Sequence, residues 1–194
     1  VAHQLRRKKG LLGPKGRLYF VDAAHLLHQA VPGHGWIKRK RTVELKTNSG
    51  RNRLNVLGAY SPDDQTLVVI EDTVSCDAQM VCQLRYKLRA THPSPDAPIL
   101  VVLDNARYQR AHRVQELAEE LQITLLFLPP YSPNLNLIER FWKFLRKHVT
   151  RNRFYATFAE FRVAIQRVLH NLRDYTDELA SLMTENFHLF GQTA

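Results

Sequence analysis

Two continuous apolar runs constrain this fold more than anything else in the chain. The first is Ile99-Leu100-Val101-Val102-Leu103, ending at Asp104, and the second is Ile123 to Leu128, stopped by Pro129-Pro130. Unbroken runs of this length read as strands covered on both faces. Between them, Ala111, Val114, Leu117, Ala118 and Leu121 recur at helical spacing. A strand, a helix and a strand in that order predict a parallel pair joined by a right-handed crossover.

The rest of the chain extends this unit. Leu18-Tyr19-Phe20-Val21 reads as a buried strand ending at Asp22. Leu54 to Tyr60 and Thr66 to Ile70 read as an antiparallel hairpin, with Ser61-Pro62-Asp63-Asp64 as its turn. From Asp77 to Ala90, the residues Met80, Val81, Leu84 and Leu88 share a helical face, and His92-Pro93-Ser94-Pro95 breaks it. Ile138, Phe141, Trp142, Leu145 and Val149 form another apolar stripe. Thr157 and Glu160 form a capping box ahead of a last stripe, Phe158 to Leu172. The predicted class is α/β: a mixed sheet with helices on its faces and further helices at the C-terminus. Three regions are expected: a basic arm or linker over 1–17, the α/β domain over 18–175, and a helical tail over 176–194.

Charge narrows the function. Lys and Arg number 28 against 18 Asp and Glu, a net +10, while hydrophobic residues make up 44% of the chain. So apolar a composition excludes a disordered basic tail, and the charge favours a polyanionic partner. No apolar run nears the ~18 residues that cross a bilayer, so no membrane partner is expected, and residues 1–17 lack the apolar core of a signal peptide. Cys76 and Cys82 cannot build a disulfide framework, so a cytoplasmic setting is expected; they lack metal-ligand spacing, and nothing near His25 and His28, spaced i, i+3, completes a zinc site. The chain opens on Val1 rather than Met, as an excised piece would.

Three acids stand out. Asp22 and Asp104 each close an apolar run, where Asp also serves simply to start turns or cap helices. Glu139 lies near the start of a helix. With Asn136 as N-cap it falls at the third helical position, where it can close a capping box or pair with Lys143. Taken together, two strand-end Asp residues and a Glu opening a basic-flanked helix suit divalent metals held over a phosphodiester. Carboxylates bind hard ions such as Mg²⁺ or Mn²⁺, and two such ions can activate an attacking oxygen and stabilise a leaving one.

The segments Tyr19-Phe20-Val21-Asp22, Val101-Val102-Leu103-Asp104-Asn105-Ala106 and Leu128-Pro129-Pro130-Tyr131-Ser132-Pro133-Asn134-Leu135-Asn136-Leu137-Ile138-Glu139-Arg140-Phe141-Trp142 resemble the DDE transposases of the Tc1/mariner–IS630 superfamily. The 34 residues between Asp104 and Glu139 are also similar to that superfamily's spacing. The resemblance spans roughly residues 18–172. It implies an RNase H-like fold with a five-stranded mixed sheet, and Asp22, Asp104 and Glu139 as a catalytic, metal-binding triad for two Mg²⁺ or Mn²⁺ ions. Asp22 would bridge both ions, while Asp104 and Glu139 would each complete one site. It further implies hydrolysis and strand transfer at transposon ends, insertion at TA dinucleotides, and a homodimer assembled on DNA, nucleoid-associated if the host is bacterial.

The chain departs from the family pattern in having Gln109 where His is common and Leu137 where Pro is common. A glutamine can donate to phosphate or water but cannot shuttle a proton. No helix-turn-helix module is visible ahead of the domain, so nearly sequence-blind DNA binding is expected. A catalytically weakened or inactive DNA-binding fragment is therefore the alternative reading. Candidate DNA contacts, to phosphates rather than bases, are Lys38, Arg39, Lys40 and Arg41 in one basic block and Arg140, Lys143, Arg146 and Lys147 after Glu139. Trp36 beside the first block can stack on a base or anchor the hairpin.

Overall fold

Eleven residues, Arg17–Leu27, form the central strand β1 of the computed structural model, which describes residues 2–34, 36, 38–39, 42, 44–94, 96–130 and 135–184. The other strands are β2 (Arg53–Ser61), β3 (Thr66–Asp72), β4 (Ile99–Leu103) and β5 (Ile123–Phe127). They form one sheet in the order β3-β2-β1-β4-β5. β1, β2 and β3 pair antiparallel, while β4 lies parallel to both β1 and β5. Helices α1 (Ala2–Leu11), α2 (Ala78–Thr91), α3 (His112–Glu120), α4 (Ile138–Val149), α5 (Phe158–His170) and α6 (Thr176–Leu182) complete the described fold, with 3₁₀ turns at Arg107–Arg110 and Leu172–Tyr175. The architecture is RNase H-like, as the family resemblance implied.

One boundary differs from the sequence expectation. β1 does not end at Asp22 but runs on to Leu27. Its continuous apolar part, up to Val21, is where β4 flanks it along one edge, with β2 joining on the other from Phe20. Beyond Asp22 only β2 remains, and burial alternates: Ala24 and Leu26 are buried, His25 and Leu27 exposed. The change of pattern marks the loss of a neighbour, not the end of the strand.

Strand alternation divides the core. Leu18, Phe20, Ala24 and Leu26 of β1 face the same side as Leu100 and Val102 of β4, and pack with Phe141, Trp142, Phe144 and Leu145 of α4 and with α5. Tyr19, Val21, Val101 and Leu103 face the other side, against Met80, Leu84 and Leu88 of α2 and Val114 and Leu117 of α3. Each fully buried side chain of this size contributes roughly 1.5–3 kcal/mol.

The ends of the elements are fixed locally. Thr157 Oγ1 accepts from Glu160 N at 3.2 Å, and Glu160 Oε2 accepts from Ala156 N at 3.0 Å, closing the expected box at α5. In the β2–β3 turn, Gln65 takes the left-handed conformation and Asp64 Oδ1 accepts from Thr66 N at 3.1 Å. The basic N-terminal segment is a helix over Ala2–Leu11 whose Leu5, 4% exposed, joins the α4-side core, and Lys9 pairs with Asp63 at 2.9 Å. At the other end Leu179 of α6 is buried in the same core, and residues 185–194 of the expected tail lie outside the described residues. Among the described residues no helix is long and apolar enough to cross a membrane.

Candidate active site

Asp22 and Asp104 meet at one level of the sheet. The last parallel pair between β1 and β4 is Val21 with Leu103. The next residue after each is an acid: Asp22 within β1 and Asp104 just past β4. Asp22 belongs to the even-numbered series of β1 that faces α4, because successive side chains alternate across a strand. Glu139 is the second residue of that helix. Three partly buried carboxylates therefore come to one corner from a strand, a strand end and a helix start.

The helix start is not held as expected. Asn136 does not cap α4: the N-cap is Leu137, which has helical dihedrals and no side-chain bond. Asn136 is 2% exposed and instead donates through Nδ2 to the carbonyl of Val21 at 3.1 Å. Glu139 N donates to Asn136 O at 3.1 Å. The same residue thus ties the first turn of α4 to the backbone just before Asp22.

Asp104 sits in a braced turn. Its Oδ1 accepts from Ala106 N at 3.2 Å, and Leu128 N donates to Leu103 O at 2.8 Å. Opposite Asp22 across the β1–β2 ladder is Gly58. A Cβ there would come within 2.6 Å of Trp142 Cη2, so only glycine lets the indole lie beneath the corner.

The electrostatics agree with this crowding. Asp22 is pushed up to about 7, chiefly by burial and further by the charges of Asp104 and Glu139. The Ala23 backbone N–H and the nearby Trp142 indole oppose the rise, although Trp142 Nε1 makes no close hydrogen bond. Burial also raises Glu139, with Asp104 adding and Lys143 and Arg146 opposing. As the side chains stand, no three His, Cys, Asp or Glu among the described residues form a cage for a metal ion. The donor set, oxygen only and mutually repelling, still fits a hard divalent cation, whose charge would relieve that repulsion.

The other candidates separate. On α4, Lys143 and Arg146 are exposed and share the stripe of Glu139, whereas Arg140 and Lys147 turn to the C-terminal segment. Arg140 donates to the carbonyls of Leu182 and Thr184, at 3.2 and 2.7 Å, and Lys147 pairs with Glu178 at 2.7 Å. Spacings of four and three residues put 139, 143 and 146 on one line and 140 and 147 on the next. Lys38 and Arg39 are exposed in the connection from β1 to β2; Lys40 and Arg41 lie outside the described residues, as do residues 131–134. Trp36 is fully exposed. Gln109 is 1% exposed, so it does not offer a donor to solvent as its polarity suggested. Sequence reasoning passed over Tyr108, and weighed Cys76 only for disulfide and zinc chemistry. Burial comes first in raising both groups, and Asp22 and Asp104 also act on them. Their nearness follows from tertiary packing and leaves no trace in spacing.

A mixed β3-β2-β1-β4-β5 sheet carrying acids where the parallel pairing of β1 and β4 stops defines an RNase H-like protein with a carboxylate corner. The chain belongs to the DDE superfamily endonuclease family, which matches residues 17–162. Among solved structures it is similar to the Mos1 mariner paired-end complex with Mn, at TM-score 0.63 and 13% identity over 96% of this chain and 61% of that one. It is also similar to the Mos1 transposase catalytic domain with Raltegravir and Mg, at 0.59 and 12% over 98% and 93%. The catalytic core of BIV integrase aligns at 0.50 and 16% over 80% and 82%. An uncharacterised protein, y4pE/y4sA of Sinorhizobium fredii (strain NBRC 101917 / NGR234), is 37% identical over 62 residues, 32% of this chain and 44% of that protein. The chain thus spans less than half of that relative, and 61% of the Mos1 chain in the paired-end complex.

Proposed function

We propose that this chain is the catalytic domain of a transposase that hydrolyses DNA phosphodiesters at transposon ends and transfers the freed strand to target DNA. The observation that carries this reading is the register of β1 and β4. It supports the reading because Asp22 and Asp104 each follow the last pair of that register, and Glu139 opens α4, which packs on one face of the same sheet. These three side chains would hold Mg²⁺ or Mn²⁺, two ions per site. The bound ions supply activation of the attacking oxygen and stabilisation of the leaving one.

The chain's own part is to hold the acids and the DNA. Asn136 fixes the depth of Glu139 against β1, and the Asp104 turn is braced to the end of β5. Lys143 and Arg146, on the acid's side of α4, grip phosphates flanking the reacting one. A TA target, a homodimer assembled on DNA and a cytoplasmic setting, nucleoid-associated if the host is bacterial, complete the proposal. Nicking of supercoiled DNA with Mg²⁺ or Mn²⁺ tests it: Asp104→Asn should abolish cleavage, and cleavage at the wild-type rate overturns the assignment.

The second reading, a DNA-binding fragment without catalysis, is favoured by the buried Gln109. Calorimetry separates the two. Salt-sensitive DNA binding without Mn²⁺ uptake selects the fragment, and uptake lost in Asp22→Asn selects the enzyme.

A further inference from the structure

We propose that the groove at the carboxyl ends of β4 and β5 holds one unpaired nucleobase of the DNA strand that passes Asp104. The proposal rests on the reading of the three acids as a site of DNA chemistry and adds a binding subsite beside it. The groove, about 490 Å³, is lined by Asn105, Arg110, Phe127, Leu128, Pro129 and Pro130. It begins one residue from Asp104, and the bond from Leu128 N to Leu103 O places the two strand ends together.

Its main feature is a prepared flat surface. The Arg110 guanidinium lies 4.7 Å from the centroid of the Phe127 ring. Asn105 Oδ1 accepts from both Nε, at 3.1 Å, and Nη2 of Arg110, while Asn105 Nδ2 donates to the carbonyl of Leu128. Arg110 is exposed, and among the described residues no carboxylate pairs with it.

This geometry selects the ligand. An arginine that grips phosphate does so through its in-plane N–H groups, and the Nε/Nη2 edge here is committed to Asn105. What remains is the Nη1 side, which can meet a phosphate of the same nucleotide, and the outer face of the guanidinium, which attracts a π system and so takes the base. A paired base has its faces covered by its neighbours in the stack, so the occupant is a base out of the stack. Arg107 and Arg113, exposed three residues before and after Arg110, add positive charge to the same segment.

The test uses the whole chain and a labelled DNA duplex carrying a nick and a four-nucleotide mismatched flank. Each flank base is replaced in turn by an abasic residue, and affinity is read by fluorescence anisotropy. In the wild type, one abasic position should weaken binding about tenfold, the scale of a single base stack. Arg110→Lys keeps the charge and loses the plane. It should bind the intact DNA about tenfold more weakly and show no sensitive position. A wild type insensitive at every position overturns the proposal, as does an Arg110→Lys profile matching the wild type. Mn²⁺-dependent nicking of the same duplex, with Asp104→Asn as control, runs in parallel. Nicking with a flat abasic profile removes the subsite alone; no Asp104-dependent nicking removes the reading on which it rests.

Discussion

Asp22 and Gly58 face each other across the β1–β2 ladder, and the Trp142 indole occupies the space that a side chain at position 58 would fill. A central strand, its partner and the helix bearing the third acid thus interlock at the carboxylate corner.

Gly58→Ala should therefore destabilise the chain by about 1–3 kcal/mol, because the added methyl meets a packed ring. Trp142→Phe in the same chain should recover part of that loss by withdrawing the larger ring. Urea denaturation of the two variants and the double variant checks this; strict additivity would count against the interlock.

Stability should depend on pH through Asp22. Its native value of about 7 exceeds the ordinary 3.8, because burial, with Asp104 and Glu139 adding, disfavours the charge. Between those values the native chain keeps a proton that the unfolded chain has released, so unfolding free energy falls as pH rises from about 4 to about 7. Below this window the penalty is absent; above it, the penalty is complete. Relative to Asp22→Asn, the wild type should lose on the order of a few kcal/mol at most across the window. Mn²⁺ should narrow the gap. Urea midpoints at a series of pH values measure it, and a constant gap contradicts the assignment.

Asn136→Ala should cost about 1–3 kcal/mol, since it leaves the buried Val21 carbonyl without its donor. Nicking should fall further than the loss of folded protein explains, because Glu139 loses its tie to β1. Denaturation and rate measurements on the same preparation separate the two effects.

Lys143→Gln with Arg146→Gln should weaken DNA binding and flatten its salt dependence by about 0.9 for each phosphate no longer neutralised. Lys147→Gln, whose charge is paired with Glu178, should alter DNA affinity much less. Binding titrations over a range of salt concentrations distinguish the two stripes of α4.

Much of this was legible in the chain because it depends on local period. The apolar runs around Val101 and Leu125 marked strands, and Phe141, Trp142 and Leu145 marked the inner face of α4. Asp104 and Glu139 could be nominated because each ends or opens such an element. The continuation of β1 past Asp22 was not legible, since it follows from which strand lies beside each residue. Asn136 looked like a cap because caps use the same side chain; its actual partner, Val21, is 115 residues away. Gly58, Arg110 and Phe127 gave no signal, because their roles exist only once β2, β4 and β5 are set against α4 and the Asp104 turn.

Whether Asp22, Asp104 and Glu139 act as one cation cradle decides the enzymatic reading, and anomalous diffraction from a Mn²⁺-soaked crystal resolves it. Anomalous density should lie at coordination distance from all three carboxylates and be lost in Asp22→Asn. Manganese density elsewhere on the chain, with none among these three, would contradict the cradle.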